Sequence, residues 1–187
     1  MEPSDEALCE RVARRDEAAF DLLVSRFQER AYRLAWSILR NAEDARDISQ
    51  EAFIRLYETA GSFRGKSKFS TWFYRILVNL CLDHKRKHKW WTLWVRDADD
   101  DRSDTILDRQ PAPANDPVDT LSREEMLKAL GSAVDRLAPR QRAAVLLRVQ
   151  EDMATYDIAR VLKCSEATVR VHLHRALATL KKTVEKH

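Results

Sequence analysis

Apolar residues recur along this chain at spacings of three and four, and no stretch alternates apolar and polar over the length of a strand. The pattern predicts helices throughout. A short one opens after Ser4, a good N-cap. A second spans about Glu17 to Leu39, where Phe20, Leu23, Val24, Phe27, Ala31, Leu34, Ala35 and Ile38 form one face. Asn41-Ala-Glu-Asp44 reads as a stop followed by a cap, and a third helix runs to about Ala60 on a stripe of Ile48, Ala52, Phe53, Leu56 and Tyr57. Gly61 is expected to close it. After a short loop at 62–69, Ser70 or Thr71 is expected to cap a fourth helix carrying Trp72, Phe73, Ile76, Leu77 and Leu80 to roughly Lys89, with an apolar Trp90, Trp91, Trp94, Val95 cluster beyond.

The pattern then breaks. Residues 96–119 hold three Pro, eight Asp and one small apolar pair, too little to bury, so an extended tether is expected. Helical signals resume with Ser122 as cap and Glu125 placed for a capping box. A helix from about Pro139, a short one over Thr155–Leu162 and a long one from Ser165 to about Glu185 follow. The expected fold is all-α: two small helical domains, 1–95 and 122–187, on a flexible acidic linker at 96–121.

Charge sharpens this division. The net charge of +3 hides three blocks. Residues 64–91 carry 8 Lys/Arg against 1 acid, net +7; residues 97–120 carry 2 against 8, net −6; residues 121–187 carry 13 against 8, net +5. Two basic lobes flanking an acidic middle point to nucleic acid. The 3 cysteines, Cys9, Cys81 and Cys164, form no CxxC pair, which argues for a reducing compartment. The acidic start MEPSDEALCE does not resemble a signal peptide, and no apolar run approaches membrane-spanning length, so a cytoplasmic protein without membrane insertion is expected.

The clearest chemical signal is Thr155 to Arg170. Ile158 and Leu162 turn one helix inward, Ala159 lets a second cross closely, Ser165 caps that second helix, and Val169 and Leu173 return it to the core. Glu166, Thr168, Arg170, His172 and Arg175 are then left facing outward, as a major-groove recognition helix requires. Lys163 occupies the turn position that usually holds Gly, so a positive φ costing roughly 1 kcal/mol is expected there. An ordinary helical hairpin with a charged face is the plainer alternative. With Leu137-Ala-Pro-Arg-Gln-Arg142 and Val145-Leu-Leu-Arg148 before it, the lobe resembles region 4 of the extracytoplasmic-function (ECF) sigma factors of the sigma-70 family. The resemblance implies that Ser165, Glu166, Thr168, Arg170, His172 and Arg175 serve recognition of the −35 promoter element.

In the first lobe, Asp47, Gln50, Glu51 and Ile54 share one face of the third helix, a mixed acidic and apolar strip suited to a basic helical partner. The segment resembles sigma region 2.2, which implies that these residues contact the β′ coiled coil of core RNA polymerase; the family also engages the β flap. Residues 62–87 interleave cations with aromatics, the composition that tracks phosphates and receives unstacked bases. They resemble ECF regions 2.3 and 2.4, implying −10 contacts from Phe63, Arg64, Lys66, Lys68, Trp72, Arg75, Asn79, Lys85, Arg86 and Lys87, with much of the aromatic content in the core. The resemblance further implies promoter-specific transcription initiation under an anti-sigma factor. A tether this acidic would also let the free chain fold back on itself.

An enzyme is the alternative from another class. Cys81, His84 and His88 share a helix face at metal-like spacing, but Lys85, Arg86, Lys87 and Lys89 surround them and a fourth ligand is missing, so no metal, cofactor or catalytic residue is expected. A free-standing helix-turn-helix regulator is the nearer rival, and it would not need the strip around Asp47.

Overall fold

In a computed structural model, residues 2–96, 126 and 128–185 are described, and all regular structure among them is helical. The N-terminal lobe holds α1 (Asp5–Ala13), α2 (Glu17–Leu39), α3 (Ala42–Thr59) and α4 (Phe69–Arg96). The C-terminal lobe holds α5 (128–135), α6 (Pro139–Val149), α7 (Thr155–Leu162) and α8 (Glu166–Val184).

Helix starts follow side-chain chemistry. Ser4 accepts from Ala7 N, Asp16 from Ala19 N, and Asn41 from Glu43 N and Asp44 N, each satisfying donors the helix cannot. Asp16 also pairs with Arg11, and these contacts hold its carboxyl below the usual range. The buried stripe of α2 (Ala19, Leu23, Phe27, Ala31, Leu34 and Ile38) steps by three and four onto α3 and α4. Phe27 lies edge-on to Phe69, Phe73 and Tyr74 at 5.2, 5.6 and 6.3 Å, each contact contributing about 0.5–1.5 kcal/mol beyond area burial.

Several expectations need correcting. Gly61 does not close α3: a 3-10 turn, Ala60–Ser62, follows it, and the positive-φ glycine is Gly65 (φ 64°) in the basic loop. Neither Ser70 nor Thr71 caps α4. The helix begins at Phe69, whose N–H donates to Glu6 Oε1 at 2.9 Å, so the cap comes from α1 across the lobe. Helix α4 also continues past Lys89 to Arg96, because its last residues keep a helical backbone. The Ser122/Glu125 capping box, the acidic tether, and the side chains of His88, Trp90, Trp91 and Trp94 lie outside the described residues.

The two lobes touch. Helix α7 packs on α4, and α6 packs on α2 and α4, so one apolar core runs through both. Polar contacts line the junction. Thr71 Oγ1 donates to Asp157 at 3.0 Å, Asn79 Nδ2 to the Val161 carbonyl at 3.4 Å, Arg160 to the Lys66 carbonyl at 2.7 Å, and Arg40 pairs with Asp135 at 2.6 Å.

Candidate nucleic-acid and polymerase interfaces

The helix-turn-helix is built as its residue pattern demands. Ile158, Val161, Leu162 and Val169 are fully or almost fully buried, and Ala159 fills the crossing. Lys163 adopts φ 52°, ψ 51°, and its N–H reaches the Ala159 carbonyl, so a lysine bears the left-handed turn. Ser165 then caps α8 by accepting from Thr168 N at 3.1 Å, and its hydroxyl lies 2.9 Å from Thr168 Oγ1. Both hydroxyls thereby help hold the N-terminus, whose dipole favours an anion.

Arg170 and Arg175 are exposed. Arg170 rests on Glu166 at 3.3 Å, an exposed i,i+4 pair worth about 0.3–0.5 kcal/mol and easily given up to a phosphate or base edge. His172 departs from expectation. It is half-buried, its Nδ1 has no hydrogen-bond partner, and burial with Arg140 and Arg175 nearby pushes its pKa down. It lies three residues after buried Val169 and four before buried Ala176, so it lines the seam, not the outward face.

On α3, Asp47 and Gln50 are exposed and Ile54 is 53% exposed beside them, while Ala52, Phe53 and Leu56 point into the core. Glu51 pairs with Arg55 at 2.8 Å. The helix thus presents a strip of acid, amide and bare isoleucine that nothing in the described chain covers.

The basic loop and α4 divide into two sets. Arg64, Lys66, Lys68, Arg75, Arg86 and Lys87 are exposed, with Arg86 held by Asp83 at 3.1 Å. Trp72 is only 6% exposed and contacts Phe63 at 5.5 Å, so it forms a floor beneath the loop instead of a free stacking platform. Phe63 is partly buried against it. Asn79 bonds to the Arg75 and Val161 carbonyls, and Lys85 is half-buried, its pKa pushed down by burial and by Arg142. Sequence reasoning passed over Glu6, which fixes the loop's far end.

Of the Cys81, His84 and His88 face, only Cys81 and His84 lie among the residues with described side chains. Cys81 is buried, with burial pushing its thiol up to about 12, and His84 Nε2 lies 3.1 Å from Asp44. Among the described residues no cluster of His, Cys, Asp and Glu could hold a metal, and no helix is long and apolar enough to cross a membrane.

Comparison with known proteins agrees with this geometry. The family description Sigma-70 region 2 matches residues 23–91, and Sigma-70, region 4 matches residues 127–180. The chain is 34% identical over 185 residues to the RNA polymerase sigma-H factor of Pseudomonas aeruginosa, covering 97% of this chain and 94% of that protein. It is 31% identical over 173 residues to the ECF RNA polymerase sigma factor SigW of Bacillus subtilis, covering 91% of each. Its fold resembles that of the sigma factor RpoE solved with the anti-sigma factor NepR from Bartonella quintana, at TM-score 0.68 and 20% identity, covering 89% of this chain and 96% of that one. With matched regions in N-lobe and C-lobe order and full-length relatives above 30% identity, the chain belongs to the extracytoplasmic-function group of the sigma-70 family.

Proposed function

We propose that this sigma factor docks on core RNA polymerase through Asp47, Gln50, Glu51 and Ile54. The observation that carries this assignment is Ile54, a large apolar side chain held in solvent between acidic and amide groups on a helix whose opposite face is buried. A strip of this kind fits the β′ coiled coil, and the β flap is a second contact.

Promoter contact divides between the lobes. Arg170 and Arg175 on α8 reach the −35 duplex, where an arginine can take a base edge or a phosphate. Arg64, Lys66 and Lys68 guide the displaced strand of the −10 element along the loop. The rim of Phe63 over Trp72 receives a base, and Arg75, Asn79, Lys85, Arg86 and Lys87 meet the duplex edge. Unstacking a base costs a few kcal/mol, so the loop acts together with polymerase. The factor itself is non-catalytic and cytoplasmic on this reading, uses no cofactor, and answers to an anti-sigma factor; a sigma factor of similar fold, RpoE from Bartonella quintana, was solved in complex with the anti-sigma factor NepR.

Titration against purified core polymerase tests the docking strip. Gln50→Ala with Glu51→Lys is expected to leave the helical content intact and weaken binding at least about tenfold, roughly 1.4 kcal/mol. Unchanged affinity removes the docking assignment.

A further inference from the structure

The link between α6 and α7 carries an acid that neither DNA nor polymerase contact requires. Glu151 has a side chain only 3% exposed. Its carboxylate accepts from Tyr74 Oη on α4 and from Arg30 on α2 at 2.6 and 3.1 Å. Tyr74 is itself fully buried, and burial with the Glu151 carboxylate beside it keeps the phenol protonated. A buried anion held by one phenol and one guanidinium, both from the other lobe, is stable only while the lobes remain together.

What this contact covers is specific. With Glu151 seated, α7 lies along α4, Asn79 is bonded to the Val161 carbonyl, the Lys66 carbonyl is held by Arg160, and Lys85 is half-buried. The recognition helix is untouched: Arg170 and Arg175 stay exposed. The masking is therefore one-sided.

We propose that Glu151, Tyr74 and Arg30 form a latch that holds the free sigma factor closed, covering the α4 surface that meets the −10 DNA while leaving the −35-reading helix open. The proposal rests on the assignment of Asn79 and Lys85 to −10 contact, and the experiment separates the two. The latch is opened in the free full-length protein by Glu151→Gln, which removes the charge, and separately by Tyr74→Phe, which removes one hydroxyl and keeps the ring against Phe27 and Phe73. Small-angle X-ray scattering reads lobe separation. Fluorescence anisotropy reads binding to a forked oligonucleotide of mixed sequence and to a plain duplex.

Both variants are expected to enlarge the radius of gyration and to bind the fork at least about tenfold more tightly than wild type, with a smaller gain on the plain duplex. Adding Asn79→Ala and Lys85→Ala to the Glu151→Gln chain is expected to cancel that gain. An unchanged radius and unchanged fork binding in both variants overturn the latch. Expansion without tighter fork binding overturns the masking. A gain that survives Asn79→Ala and Lys85→Ala upholds the latch and overturns instead the assignment of those two residues to DNA.

Discussion

Arg142 offers the sharpest test of how the C-terminal lobe is held. Its side chain is 6% exposed, and its guanidinium donates to three backbone carbonyls: Val134 at 3.0 Å, Ile38 at 3.1 Å and Asp135. Ile38 lies in the last turn of α2, and Val134 and Asp135 end α5, so one cation satisfies carbonyls that two helices leave orphaned, at the negative ends of their dipoles. Arg142→Met keeps the length and loses every donor. Each stranded carbonyl costs about 1–3 kcal/mol. Against the sum stands the several kcal/mol recovered by no longer burying a cation, which leaves a net loss of about 3 kcal/mol. For a chain of this size that lowers the melting temperature by about 6–12 °C. Arg142→Lys keeps the charge but cannot reach all three carbonyls, and should fall between. Circular dichroism through thermal and urea unfolding measures both variants. A shift below about 0.5 kcal/mol for Arg142→Met would show that water replaces the guanidinium without loss and would refute the reasoning.

Three further outcomes are expected. Arg170→Ala and Arg175→Ala should each lower run-off transcription from a cognate promoter while leaving core polymerase affinity unchanged; full activity in both single variants would remove the groove placement of α8. Glu6→Ala should cost about 1 kcal/mol, the usual value of a helix cap, and speed protease cleavage within 62–68, since the Phe69 N–H loses its side-chain acceptor. Burial pushes the Cys9 thiol up to about 11 and Cys81 up to about 12; burial raises Cys164 too, with Arg140 favouring its thiolate, but Cys164 is only partly buried where the other two are fully enclosed. At pH 8 a thiol reagent should therefore modify Cys164 first, and equal rates at all three in the native protein would contradict the burial.

Helices α2 and α7 were legible to the residue because their apolar periods are long or strict, with the Asp16 side chain capping the start of α2 and the left-handed turn at Lys163 ending α7. The strained turn at Lys163 was legible too, since the position demands a left-handed backbone whatever residue occupies it. The start of α4 was not, because its cap arrives from Glu6, 63 positions away, and leaves no local mark. His172 was misplaced for a different reason: the signal was present in its spacing from Val169 and Ala176, but its polarity outweighed the period. Trp72 shows the limit of composition, since an aromatic among cations looks alike whether it floors a loop or faces a base. Glu151 had no pattern at all. A lone acid in a link acquires meaning only when a phenol and a guanidinium from another lobe close over it.

Synthesis runs from the N-terminus, and the core of α1 to α4 is complete once residue 81 or so has emerged. The α7 helix that lies over α4 ends at Leu162. At about 5–20 residues per second the intervening roughly 80 residues take about 4–16 s to make. Through that interval Tyr74 and Arg30 are without Glu151, and the α4 face around Asn79 is without α7. Each molecule therefore passes its first seconds without that cover.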